Sequence, residues 1–173
     1  MVVHPVLIIV GGLPATGKSA VAGTLALELG LAFVRIDGIE QAIIRSSCLR
    51  QPLGAVGYVV GYAIAAEQLR HGVSVVAECV NPLAVTRDAW RAVGQERGAQ
   101  VLEVELVCSD EAEHRRRAES RRTDIPGLVL PTWQQILDRE YETWTRDHLV
   151  IDTATHTVAD SVTVIRQALD LDR

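Results

Sequence analysis

The most constraining feature of this chain is Gly12-Leu13-Pro14-Ala15-Thr16-Gly17-Lys18-Ser19, which fills the pattern G-x-x-x-x-G-K-[ST] without a gap. Val6 to Val10 before it is a short apolar run that reads as a buried strand. Val21, Leu25 and Leu29 after it recur at helical spacing. Strand, glycine loop and helix follow in the order a phosphate cradle needs. The glycines let the backbone curl so that successive N–H groups point at a polyphosphate, and the opening helix adds the positive end of its dipole. Lys18 can reach the β- and γ-phosphates, and the Ser19 hydroxyl can ligate Mg²⁺. Lys18 is the one lysine among 17 basic residues. It stands where a compact ammonium on a flexible stem serves better than a planar guanidinium.

The remaining segments alternate between strand-like and helix-like patterns, as in an α/β domain with a parallel sheet covered on both faces. The sequence predicts strands over 32–36, 73–77, 101–107 and 149–151. It predicts helices over 39–47, 56–70, from the Asn81-Pro82 cap to about 97, from the Ser109-Asp110 cap to about 122, 132–144 and 158–171. Residues 123–131 read as a turn-rich loop. With the first strand this makes a three-layer, doubly wound, five-stranded domain spanning 1–173, without repeat or linker. A net charge near −5 weighs against a nucleic-acid partner. Cys48, Cys79 and Cys108 lack metal-ligand spacing and read as free thiols. The run 6–10 is too short to span a bilayer, so a soluble, cytoplasmic setting is expected.

In such sheets ligands gather beyond the carboxyl ends of the strands, where Asp37 and Glu78 fall. Asp37 can accept the proton of an acceptor hydroxyl during in-line phosphoryl transfer. It can equally cap a helix beginning at Gly38, with Glu40 completing a capping box. Glu78 ends an apolar strand, where an acid can hold Mg²⁺ through water or touch substrate; the alternative is a satisfied strand-end carboxylate. Arg117 and Arg121 are spaced to share a helix face and can neutralise charge on the transferring group, within a lid over about 117–131. The alternative is a solvated face paired with Glu113 and Glu119. Arg45, Tyr58 and Tyr62 are expected on the acceptor wall, with Arg87 reaching in from the next helix. Trp90, Trp133 and Trp144 read as helix packing.

These residues resemble the small P-loop kinases that phosphorylate hydroxyls of metabolites, nucleosides, antibiotics or polynucleotide ends. The resemblance runs from Gly12–Ser19 through Arg35-Ile36-Asp37-Gly38, the strand ending at Glu78 and the R-x-x-x-R of Arg117 and Arg121 to Val150-Ile151-Asp152-Thr153. The loop and the aspartate are especially similar to chloramphenicol phosphotransferase; gluconate, shikimate and adenylylsulfate kinases share the layout. The resemblance implies strand order 2-3-1-4-5, ATP or GTP as donor, Asp37 as base, and Arg117 and Arg121 in the lid. It also places about Asp152 to Thr155, and so Thr153, against the nucleobase. Glu78-Cys79 departs from the commoner Asp-rich strand end. The expectation is a Mg²⁺-dependent kinase of a small-molecule hydroxyl, acting as monomer or homodimer, with an antibiotic as one acceptor class. A polynucleotide or nucleoside 5′-hydroxyl kinase is the alternative enzyme, and an acceptor-independent ATPase the alternative of another class. A GTPase switch needs N-K-x-D, which a chain whose sole lysine is Lys18 cannot supply.

Overall fold

The computed structural model describes residues 4–171. In chain order the elements are β1 (Val6–Gly11), α1 (Lys18–Leu29), β2 (Ala32–Arg35), α2 (Ile36–Ser46), α3 (Val56–Arg70) and β3 (Val75–Glu78). There follow α4 (Ala84–Glu96), β4 (Gln100–Val107), α5 (Glu111–Ser120), α6 (Trp133–Leu137), β5 (Leu149–Asp152) and α7 (Val158–Leu171). The five strands are parallel in the order β2-β3-β1-β4-β5, as the resemblance implies. β1 lies at the centre and is buried on both faces, which is why it reads as an unbroken apolar run. Ile8 and Val10 pack with Leu25, Leu106 and Ile165 beneath α1 and α7, whereas Leu7 and Ile9 pack with Ala65, Leu69 and Trp90 beneath α3 and α4. Among the described residues no helix is long and apolar enough to cross a membrane.

Four boundaries depart from the sequence reading, and two of them reshape the site. α2 begins at Ile36, with extended Arg35 as its N-cap and no side-chain cap bond, so Asp37 lies inside the first turn rather than capping it. α5 ends at Ser120; Arg121 is extended, its N–H bonded to the Arg117 carbonyl. Arg117 and Arg121 therefore do not share a helix face. α4 opens three residues after Asn81, which takes φ 54 and gives its N–H to the Tyr58 hydroxyl at 2.9 Å and its carbonyl to Arg87 at 3.0 Å. Asn81 thus spends its backbone on a tertiary joint instead of a cap.

The helix expected over 132–144 stops at Leu137. Beyond it, polar tethers hold the chain in irregular form. Arg87 donates to the Glu142 carbonyl at 2.7 Å, Tyr141 to Glu105 at 2.7 Å, and Arg146 to both oxygens of Glu103 at 2.8 and 2.6 Å. Trp144 is consequently outside any helix, stacked on His148 at 4.0 Å with the Arg87 guanidinium 4.3 Å from its ring centre.

Candidate active site

The loop between β1 and α1 owes its shape to contacts that exclude a side chain. At Gly12 (φ 137) a Cβ would stand 2.2 Å from the Leu106 carbonyl oxygen, so β4 presses directly on the loop. Gly17 takes φ 93 as the N-cap of α1. Inside the loop, Thr16 Oγ1 and Lys18 Nζ both donate to the Leu13 carbonyl, at 2.9 and 2.7 Å. Two outside residues brace it. His114 on α5 places Nε2 2.8 Å from the Pro14 carbonyl, and Thr153 after β5 holds its hydroxyl 3.0 Å from the Thr16 carbonyl. The loop is thus pre-formed as a concave rim of backbone N–H groups at the start of a helix, a shape suited to an anion.

A cavity of about 1230 Å³ opens beside this rim. Its lining includes Pro14, Ala15, Gly17, Lys18 and Ser19 of the loop and α1, together with Asp37, Tyr58, Glu78, Arg117, Arg121 and Thr153. Glu78 is nearly enclosed, 3% exposed. Ser19 Oγ donates to its Oε1 at 3.2 Å, and Arg35 Nε stands 2.9 Å from its Oε2 without hydrogen-bond alignment. Burial pushes the Glu78 carboxyl upward, while Lys18 and Arg35 pull against that. Burial also lowers the Lys18 ammonium, opposed by Glu78 and Asp37. Asp37 therefore lies within electrostatic reach of both.

The oxygen set of Ser19 and Glu78 fits Mg²⁺, which prefers few protein oxygens and keeps waters and phosphate oxygens in its shell. Among the described residues no three His, Cys, Asp or Glu side chains cluster into a metal cage, so a closed structural metal site has no counterpart here.

Three expected wall residues lie elsewhere. Arg45 is exposed near the end of α2 and does not line the cavity. The Tyr62 hydroxyl donates to the Thr86 carbonyl at 3.3 Å and its ring meets Trp90 edge-on. Arg87 is 2% exposed, its guanidinium committed to the carbonyls of Asn81, Pro82 and Glu142. Arg117 reaches the cavity side, but bonds Thr153 Oγ1 and carbonyl at 3.0 Å each and Glu113 at 2.7 Å, so it splints α5 to the β5 end.

Arg35 went unnoticed as a site residue. It touches Glu78, donates to Ser19 Oγ at 3.2 Å, and grips Asp124 in the segment between α5 and α6 with two bonds of 2.9 and 2.8 Å. Its signal was the parallel pairing that sets Arg35 beside Glu78 at two strand ends. Asp124 carried no signal in the sequence.

No protein-family model matches the chain, and no curated protein matches it in sequence. Solved structures do match it in shape. APS kinase from Mycobacterium tuberculosis, in complex with AMPPNP and APS, superposes with a TM-score of 0.72 at 18% identity over 96% of this chain and 98% of that one. A sugar kinase from Janibacter sp. gives 0.69 at 18% identity, over 96% and 95% of the two chains. A gluconokinase from Sinorhizobium meliloti gives 0.64 at 22% identity, over 97% and 96%. The fold is the one that these P-loop kinases share.

Proposed function

We propose that this chain is a Mg²⁺-dependent kinase that transfers the γ-phosphoryl group of a nucleoside triphosphate, ATP in the first instance, to a hydroxyl of a small molecule. One observation carries the reading. Asp37 lines the same cavity as Lys18, Ser19 and Glu78 and lies within electrostatic reach of Lys18 and Glu78. A carboxylate and a polyphosphate cradle that line one cavity suit an acceptor alcohol bound between them.

In this reading the loop N–H groups and the α1 N-terminus bind the polyphosphate, and Lys18 leaves the Leu13 carbonyl for the β- and γ-phosphates. Ser19, with Glu78 hydrogen-bonded to it, would hold Mg²⁺, which when bound would neutralise phosphate charge. The acceptor oxygen bonds to the γ-phosphorus as the bond to the β–γ bridging oxygen breaks; the nucleoside diphosphate leaves with that electron pair, and the hydroxyl proton passes to Asp37. Arg121, which lines the same cavity, offsets charge on the transferring group. Arg117 and Thr153 serve the nucleotide side by keeping the loop and the β5 end in register.

The test is Asp37→Asn. Transfer should fall by about 10²-fold or more, with nucleotide affinity by calorimetry unchanged. Wild-type turnover that ignores every added hydroxyl compound would instead mark an acceptor-independent ATPase. The antibiotic-directed form of the proposal is tested with hydroxylated nucleoside and amphenicol antibiotics, and is rejected if all stay unmodified.

A further inference from the structure

The acceptor half of the cavity carries its own chemical demands. Asp37 and Glu40 are three residues apart on α2 and both line it, with Ile44, Leu53 and Leu128 supplying apolar wall. Residues at that spacing hold their Cβ atoms about 5–6 Å apart on one helix face. Among the described residues, neither carboxylate has an ion-pair partner.

Glu40 is also held in place from outside its own helix. A Cβ on Gly57 of α3 would stand 2.3 Å from Glu40 Cγ and 2.7 Å from its Oε1, so the glycine leaves the notch in which this side chain lies. Burial pushes its carboxyl above the ordinary range; Asp37 adds to that, while Gln51 and Arg139 pull against it. A desolvated carboxylate of this kind gains most from a cationic partner.

Three of the cavity-lining cations are otherwise engaged. Lys18 serves the loop, Arg35 is divided among Glu78, Ser19 and Asp124, and Arg117 is held by Glu113 and Thr153. Arg139 is on the exposed rim. On the α2 wall the acceptor thus meets two carboxylates without an ion-pair partner among the described residues, whereas the likewise unpaired arginines Arg121, Arg122 and Arg139 line the cavity from the segments that follow α5 and α6.

We propose that the acceptor is a part-apolar amino alcohol whose basic amine pairs with Glu40 while the hydroxyl on a neighbouring or next-neighbouring carbon faces Asp37. This rests on the kinase reading above; the bonds made and broken are those already given, and the amine stays protonated throughout. Glu40 acts as a specificity-determining residue.

The experiment uses the full chain with Mg²⁺·ATP and two charge series built on fixed scaffolds. The first is phenylserinol with its N-acetyl and N-succinyl derivatives; the second is glucosamine, glucose and gluconate. The amine member should have the highest kcat/KM in at least one series. Glu40→Gln should reduce the amine-to-neutral ratio of kcat/KM by about tenfold or more, as expected for losing a charge-assisted hydrogen bond. A preference for the neutral or anionic member, no response to either amine, or an unchanged ratio in Glu40→Gln overturns the inference. The wild-type charge series decides the matter even if the variant fails to fold. Asp37→Asn is run in parallel: an inference that fails while Asp37 still controls phosphate release leaves the kinase reading standing. Indifference to Asp37 as well removes both.

Discussion

Arg35 makes two ionic contacts of very different worth, with Asp124 and with Glu78, and they can be tested separately. Its outer contact, with Asp124, is bidentate, but the Asp124 side chain is 77% exposed. An exposed pair with good geometry contributes about 1 kcal/mol, screened by salt. Asp124→Asn should therefore raise amide hydrogen exchange across residues 121–131 by about fivefold, with a melting shift of no more than about 2–4 °C. The inner contact is with Glu78, whose side chain is 4% exposed. Arg35→Ala removes a partner from an enclosed carboxylate, which costs about 3 kcal/mol or more. In a chain of this length that lowers the melting temperature by about 6–12 °C.

The same contact fixes the pH dependence. Arg35 holds the Asp124 carboxyl below its ordinary value. The Arg35–Asp124 contact is thus fully present above the unfolded carboxylate value of about 3.9 and is lost as pH falls through the lowered folded value. The exchange difference between wild type and Asp124→Asn should stay constant near neutrality and vanish on strong acidification. Unchanged exchange in Asp124→Asn would refute the idea that this pair holds the segment 121–131. An Arg35→Ala variant as stable as Asp124→Asn would refute the dependence of Glu78 on Arg35.

Gly12→Ala should destabilise the chain by about 2 kcal/mol or more and weaken nucleotide binding, because its Cβ would collide with a backbone carbonyl at a φ of 137°; thermal unfolding and a nucleotide titration measure both. Cys48 is exposed and Cys79 is buried, its thiol pushed up to about 12, so a maleimide should label Cys48 quickly and Cys79 only after denaturation. Peptide mapping of the labelled chain distinguishes the two sites.

What the sequence revealed and what it concealed divide along a physical line. The loop and its flanks were legible because their determinants are local. An apolar run, glycines where backbone must approach backbone, and a helical repeat all lie within Val6 to Leu29. The strand ends were legible too, since an acid closing an apolar run marks the edge of the sheet. The residues that went astray are held by partners far along the chain. Arg87 looked available until three carbonyls claimed it. The stretch after Leu137 has a helical pattern, yet Arg146 and Tyr141 bind it to Glu103 and Glu105 on β4. Arg35 could not be recognised before the β2–β3 register set it beside Glu78.

Asp37 shows how a small boundary error bears on chemistry. Had the helix begun at Gly38, its carboxylate would have been occupied in accepting the N–H groups of the next turn. Because α2 starts at Ile36 and Arg35 caps it with backbone alone, those N–H groups make no claim on the acid as an N-cap. Beginning the helix two residues earlier is what leaves Asp37 facing the cavity without a structural duty as a cap, and the proposed proton transfer depends on that freedom.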